Sequence, residues 1–168
     1  FDPFHIKNET RDADIILITH EHSDHILSIK SILKRVPNLK LILTEGTASG
    51  IFRNECAPDD RISYVKANDS IEIGDIVISS FPTSHDTIEP CAFYFEHKSK
   101  KVTVVTDTGC ITEEVMNAIL GSDVLAIESN HEVNYLLYGR YPYPLKRRIL
   151  SDVGHLSNES CGNALVKY

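Results

Sequence analysis

An apolar run over residues 13–19 (ADIILIT) ends directly on a polar cluster, His20-Glu21-His22-Ser23-Asp24-His25. A nearly unbroken apolar run of that length reads as a strand covered on both faces, as in the parallel sheets of α/β proteins. Beyond the cluster, Ile26, Ile29, Leu33 and Val36 recur at three-to-four-residue spacing, which predicts a helix over residues 26–36 closed by Pro37. Residues 39–44 read as a second buried strand, completing a strand-helix-strand unit. The cluster therefore sits between two elements that both read as buried, at a strand end, where α/β proteins place their chemistry.

The middle of the chain changes character. Residues 62–65, 70–73 and 76–81 are short β-rich segments with turn signals at Asn68-Asp69 and Gly74-Asp75, predicting an antiparallel meander. Residues 91–96 and 102–106 are two further strands around a charged turn at 98–101. A helix over residues 112–120 follows, with Thr112 as its N-cap, and then a strand over 124–128. Tyr141-Pro142-Tyr143-Pro144 reads as irregular or extended, and helices are expected over 145–150 and 158–166. Apolar strands repeatedly run out onto polar residues: Thr19 onto His20, Phe81 towards His85, Val105 towards Asp107 and Ile127 onto Glu128.

With 168 residues, 42% hydrophobic and 24% charged, the chain is expected to form one globular domain over residues 1–168. No apolar run approaches the roughly 20 residues that span a bilayer, and Phe1-Asp2-Pro3-Phe4-His5 does not read as a signal peptide. Cys56, Cys91, Cys110 and Cys161 form no C-x-x-C pair, so neither a zinc ribbon nor a disulfide scaffold is indicated. Reduced thiols in a cytoplasmic protein fit this usage. A net charge of −7 argues against gripping nucleic acid with the whole surface. It leaves room for a local site, and Lys146-Arg147-Arg148, with Arg140 upstream, is the dense basic cluster.

At this chain's His and Asp frequencies, H-x-H-x-D-H arises by chance in roughly one such chain in a thousand. Imidazoles two apart on an extended strand end point the same way and can chelate one divalent metal. Asp24 and His25, at the turn into a helix, can aim at a second metal a few ångströms away. His85, in Phe81-Pro82-Thr83-Ser84-His85-Asp86, taken alone is more often a satisfied surface histidine. Asp107, in Thr106-Asp107-Thr108-Gly109, could bridge two cations with its two oxygens, although Asp-Thr-Gly is also ordinary turn chemistry.

Taken in order, H-x-H-x-D-H, then a single His, then an Asp, these residues resemble the metallo-β-lactamase fold superfamily over nearly the whole chain. The resemblance implies an α/β fold, the αββα sandwich of that superfamily. It further implies that His20, His22 and His85 hold one metal, that Asp24 and His25 hold the other, and that Asp107 bridges them. Lactamases have a Cys where Asp107 stands, and Cys110 is near but out of register, so the pattern looks like the hydrolase and nuclease branches. Glu128-Ser129-Asn130-His131, the run from Gly139 to Ile149, and Gly154-His155-Leu156-Ser157-Asn158 resemble the YycJ/WalJ-type subgroup, associated with exonuclease activity on DNA. The Glu128 and His155 pair also looks like the Glu and His motifs of tRNA 3′-processing endonucleases. By that likeness His155 is the general acid or base and Glu128 orients it, while an ordinary salt bridge is the plainer role for Glu128.

The superfamily's opening strands end in an Asp, a position Asp2 fits. The resemblance implies that those first strands and the last strand, with a final His ligand, are missing from this chain. His5 and His97 read as surface residues and His131 as a possible substrate contact. Arg140, Lys146, Arg147 and Arg148 are either a solvated face or a phosphate-binding patch. The expected function is a dinuclear metal-dependent phosphodiesterase, an exonuclease-like enzyme acting on DNA in preference to RNA. Two divalent ions (zinc or manganese, with iron also compatible) are its cofactors, and Asp24, Glu128 and His155 its catalytic groups. The alternatives are a hydrolase of carbonyl esters, thioesters or lactams on the same site, and an inert module with an incomplete metal site.

Overall fold

The computed structural model describes residues 1–4, 13–53 and 57–167, so the expectation for His5 and the thiol of Cys56 lie outside the described residues. Two compact units are distinguished. One comprises Phe1–Lys66 with Thr87–Cys91, the other Ala67–Asp86 with Ala92–Tyr168.

The first unit is built on a parallel three-stranded sheet of β1 (Ile15–Leu17), β2 (Lys40–Leu43) and β3 (Ile62–Tyr64), in that order. Ile16 pairs with Leu41, and Ile42 with Ser63. The apolar spacing after the cluster forms two helical pieces rather than one: a single turn, α1 (Ser23–Ile26), and α2 (Ile29–Arg35). The break leaves Leu27 exposed and Ile29, Ile32 and Leu33 buried. These three join Ile16, Ile18, Leu39, Leu41 and Leu43 in one core cluster, each large aliphatic contributing about 1.5–3 kcal/mol by burial. A helix absent from the sequence reading, α3 (Glu45–Phe52), closes the same core with Ala48, Ile51 and Phe52. The Thr44 hydroxyl caps it by accepting from the Thr47 N–H.

The second unit carries a five-stranded sheet: β4 (Ser70–Ile73), β5 (Ile76–Pro82), β6 (Cys91–His97), β7 (Lys100–Val105) and β8 (Val124–Ile127), neighbours in that order. β4 and β5 form a hairpin, as do β6 and β7, while β8 returns parallel to β7. The expected antiparallel meander is thus corrected: its first segment is β3, which pairs parallel to β2 in the other sheet. Short β-branched runs look alike whichever sheet takes them, so the partner was not written in the local pattern.

Helix α4 (Glu113–Ile119) starts where expected, with the Thr112 hydroxyl accepting from the Val115 N–H. Its Val115, Ala118 and Ile119 pack on Phe81, Ala92 and Val105. Beyond β8 come α5 (Val133–Tyr138), α6 (Tyr143–Ile149) and α7 (Asn158–Lys167). Of the irregular or extended piece expected over residues 141–144, Tyr141 and Pro142 do lie outside any helix, whereas Tyr143 and Pro144 are corrected: α6 begins at Tyr143 with Pro144 in its first turn, a position where proline's missing N–H costs nothing. No described helix is long and apolar enough to cross a membrane.

Candidate functional site

In the first unit the chain leaving β1 brings Thr19 and His20 into full burial, each 1% exposed. Asp2 anchors this turn, accepting from the Thr19 N–H and from the Thr19 hydroxyl, both at 2.8 Å. Because the single hydroxyl proton of Thr19 goes to Asp2, its oxygen accepts from His20 Nδ1, 2.9 Å away. That fixes the tautomer: His20 carries its proton on Nδ1 and presents Nε2 as a lone pair. The imidazole of His22 meets that of His20 edge-on at 4.9 Å between centroids, and the His25 ring lies 4.0 Å from it. His25 Nδ1 is 3.2 Å from Asp2 Oδ2. Asp24 stands apart from this group, its side chain 72% exposed and its carboxylate 3.9 Å from His25 Nε2.

In the second unit three strand ends and one loop supply the polar groups. His85 follows β5, Asp107 follows β7, Glu128 follows β8, and Gly154-His155 lies between α6 and α7. The His85 side chain is 1% exposed, and its Nδ1 donates to the Gly154 carbonyl at 2.9 Å, so Nε2 again presents the lone pair, 3.8 Å from Asp86 Oδ1. Gly154 is required there, since a Cβ would fall 2.1 Å from the Arg148 carbonyl oxygen and 2.4 Å from that of Ile149. The Ser84 hydroxyl donates to the Asp152 carbonyl, and the Gly109 N–H donates to the Ser84 carbonyl, tying the three loops together.

His155 Nδ1 donates to Glu128 Oε1 at 2.6 Å and lies 3.1 Å from Asp107 Oδ1. The other Glu128 oxygen accepts from the Thr108 and Leu156 N–H groups, which locks the carboxylate in place. The hydrogen bond to Asp107, joined by that to Glu128, raises the His155 pKa from 6.5 to about 9, against the opposing effect of burial. Donor atoms of His85, Asp107 and His155 lie within 4.8 Å of one another, a grouping able to hold a cation. A cavity of about 580 Å³ opens beside His155, with Cys110, His131 and Ser157 in its wall.

The basic residues differ from one another. Lys146 donates to the Leu137 and Gly139 carbonyls, both at 2.7 Å, and clamps the end of α5. Arg148 makes a two-pronged pair with Asp86, at 2.5 and 2.7 Å. Arg140 and Arg147 stand exposed. His97 is a surface residue paired with Asp75, as expected. Sequence reasoning missed Thr19 and the Gly154 carbonyl, which fix the tautomers of His20 and His85. A polar residue closing an apolar run signals the first; nothing local signals the second.

The sheets, helices and donor clusters are those of an α/β protein with groupings able to hold a cation. Residues 1–167 match the family described as Beta-lactamase superfamily domain, and the chain belongs to it. Among its relatives, exodeoxyribonuclease YycJ of Bacillus anthracis is 39% identical over 92% of this chain and 59% of its own length. Exodeoxyribonuclease WalJ of Streptococcus pneumoniae serotype 2 is 35% identical over 96% of this chain and 61% of its own length. The YycJ/WalJ-type resemblance is therefore borne out, although the chain spans only about 60% of the length of these relatives. The metallo-β-lactamase fold protein YhfI of Bacillus subtilis superposes with a TM-score of 0.64, covering 90% of this chain and 58% of that one at 16% identity, which supports the fold.

Proposed function

We propose that this chain carries a metal-dependent phosphodiesterase site acting as an exonuclease on DNA. The observation that carries the reading is His155, held through Nδ1 by Glu128 and Asp107 beside an open cavity. Groups poised this way serve proton transfer, and the two exodeoxyribonuclease relatives supply the reaction class.

The donors suit divalent cations: neutral imidazoles with Nε2 lone pairs at His20 and His85, further imidazoles at His22 and His25, and carboxylates at Asp24 and Asp107. These six are the proposed ligands, with two ions of zinc, manganese or iron as the proposed cofactor. When bound, such ions neutralise charge on a phosphate and acidify water. The chain's own part is protonic. His155 releases its proton to the departing sugar oxygen, and Glu128 keeps the ring in the tautomer and orientation that transfer needs. Asp24, exposed and ligand-competent, orients the attacking water. Arg140 and Arg147 hold backbone phosphates; Lys146 and Arg148 support them by fixing α5 and α6.

The test is hydrolysis of end-labelled DNA and RNA by the metal-loaded chain and by His155→Ala. Release of mononucleotides from DNA, abolished in the variant at unchanged metal content, is the expected result. Turnover of lactams or thioesters without cleavage of any phosphodiester would overturn the reading.

A further inference from the structure

Tyrosine normally buries its ring and leaves only the hydroxyl wet. Between residues 135 and 143 the chain does the opposite: Tyr135 is 83% exposed, Tyr138 88%, Tyr141 57% and Tyr143 72%. These four of the chain's seven tyrosines take no part in the core or in the site described above. The stretch they occupy, residues 133–149, contains four basic residues and no acidic one, in a chain of net charge −7. Exposed rings interleaved with exposed cations, Arg140 and Arg147, match a polyanion that also offers flat apolar faces. Unpaired nucleic acid is such a ligand, whereas a duplex hides its base faces in the stack.

The platform is also held in shape. Tyr135 and Tyr138 share one face of α5 at a three-residue spacing. Pro142 and Pro144 stiffen the link into α6, and Lys146, from the last turn of α6, pins that helix to the end of α5 through the Leu137 and Gly139 carbonyls. A ligand therefore meets rings that are already positioned, with little ordering cost. A groove of about 300 Å³ lined by Tyr135, Arg140 and Tyr141 also has His131 and Glu132 in its wall, the Glu132 carboxylate accepting from the Tyr135 N–H, and the same His131 lines the cavity beside His155. Through His131 the Tyr135 and Tyr141 end of the strip thus adjoins the cavity beside His155.

We infer that Tyr135, Tyr138, Tyr141 and Tyr143, with Arg140 and Arg147, form a stacking platform for single-stranded DNA that feeds the strand towards His155. The inference rests on the nuclease reading, because it supplies the strand that reading consumes. It differs from phosphate gripping by basic residues: stacking reads base faces and predicts a preference for unpaired over paired substrate.

The test is fluorescence anisotropy of a labelled thymidine oligonucleotide, an abasic strand of equal length and a duplex, with the full chain and with Tyr135→Ala/Tyr138→Ala and Tyr135→Phe/Tyr138→Phe. The alanine pair is expected to weaken thymidine-strand binding by about tenfold or more, while the phenylalanine pair retains it. The abasic strand binds weakly to all three proteins. Equal binding of the thymidine strand by the native and alanine proteins would overturn the inference, as would equal losses on strand and duplex. So would a shift from dimer to monomer in the alanine pair by sedimentation, which would make the face a contact with a second copy. Hydrolysis of end-labelled DNA by the native chain is read separately. Tyrosine-dependent binding without hydrolysis defeats the nuclease reading and spares the platform, whereas hydrolysis with tyrosine-independent binding defeats only the platform.

Discussion

The two donor sets are built by different means. In the first unit His20, His22 and His25 lie within six consecutive residues, and their partners Thr19 and Asp2 are a neighbour in sequence and a residue 17 positions before that neighbour. In the second, His85, Asp107, Glu128 and His155 are spread over seventy residues and meet because β5, β7 and β8 share a sheet. The first set is held by side chains, the second largely by backbone, through the Gly154 carbonyl and the Thr108 and Leu156 N–H groups. A local motif tolerates drift elsewhere in the fold. A dispersed one is only as good as the loops that carry it.

The most severe break in the second set is His155→Ala, expected to lower phosphodiester turnover by about 10²–10⁴ with little change in bound metal. Loss of metal in step with activity would instead make His155 a ligand. Next comes Gly154→Ala, which forces the loop away from two carbonyl oxygens and releases His85 from its acceptor. Its metal affinity is expected to fall by about 10–100-fold, measured by competition with a chromogenic chelator. Thr19→Val tests the first set in the same assay. It removes the hydroxyl between Asp2 and His20 at nearly constant volume and is expected to cost about tenfold, since His22 and His25 remain in place. If Thr19→Val proves worse than Gly154→Ala, the contrast between side-chain and backbone support is wrong.

The smallest effect is on pH dependence in metal-free protein. Asp107 and Glu128 raise the His155 pKa from 6.5 to about 9, so the folded chain binds this proton more tightly than the unfolded one. The resulting stabilisation is full below about pH 6.5 and is lost as pH rises through about 9. A proton NMR titration is expected to place the His155 midpoint near 9, and Asp107→Asn to bring it down. A native midpoint at the ordinary imidazole value would mean that the carboxylates do not face the ring in solution.

The same contrast explains what could be read from the sequence. The H-x-H-x-D-H cluster, the strand before it and the Thr112 cap are local signals, and each is where the sequence placed it. Asp2, suggested only by likeness, does anchor Thr19. Helix α3 was invisible because its sequence, EGTASGIF, is rich in poor helix formers, and Gly50 is there for a tertiary reason: a Cβ would lie 2.4 Å from the Glu21 side chain. The short helix α5 buries only Leu136, so it has no apolar period to find. The sheet partner of β3 and the pairing of His85 with Gly154 depend on topology, which no window of sequence contains.

The most direct measurement of the central claim is the metal content of the purified chain by elemental mass spectrometry, beside His22→Ala for the first donor set and His85→Ala for the second. The account predicts about two divalent ions per native chain and a clear loss in each variant, with the far-ultraviolet circular dichroism spectrum preserved. A folded native chain that takes up neither zinc nor manganese, or variants that bind as much metal as the native protein, would contradict it.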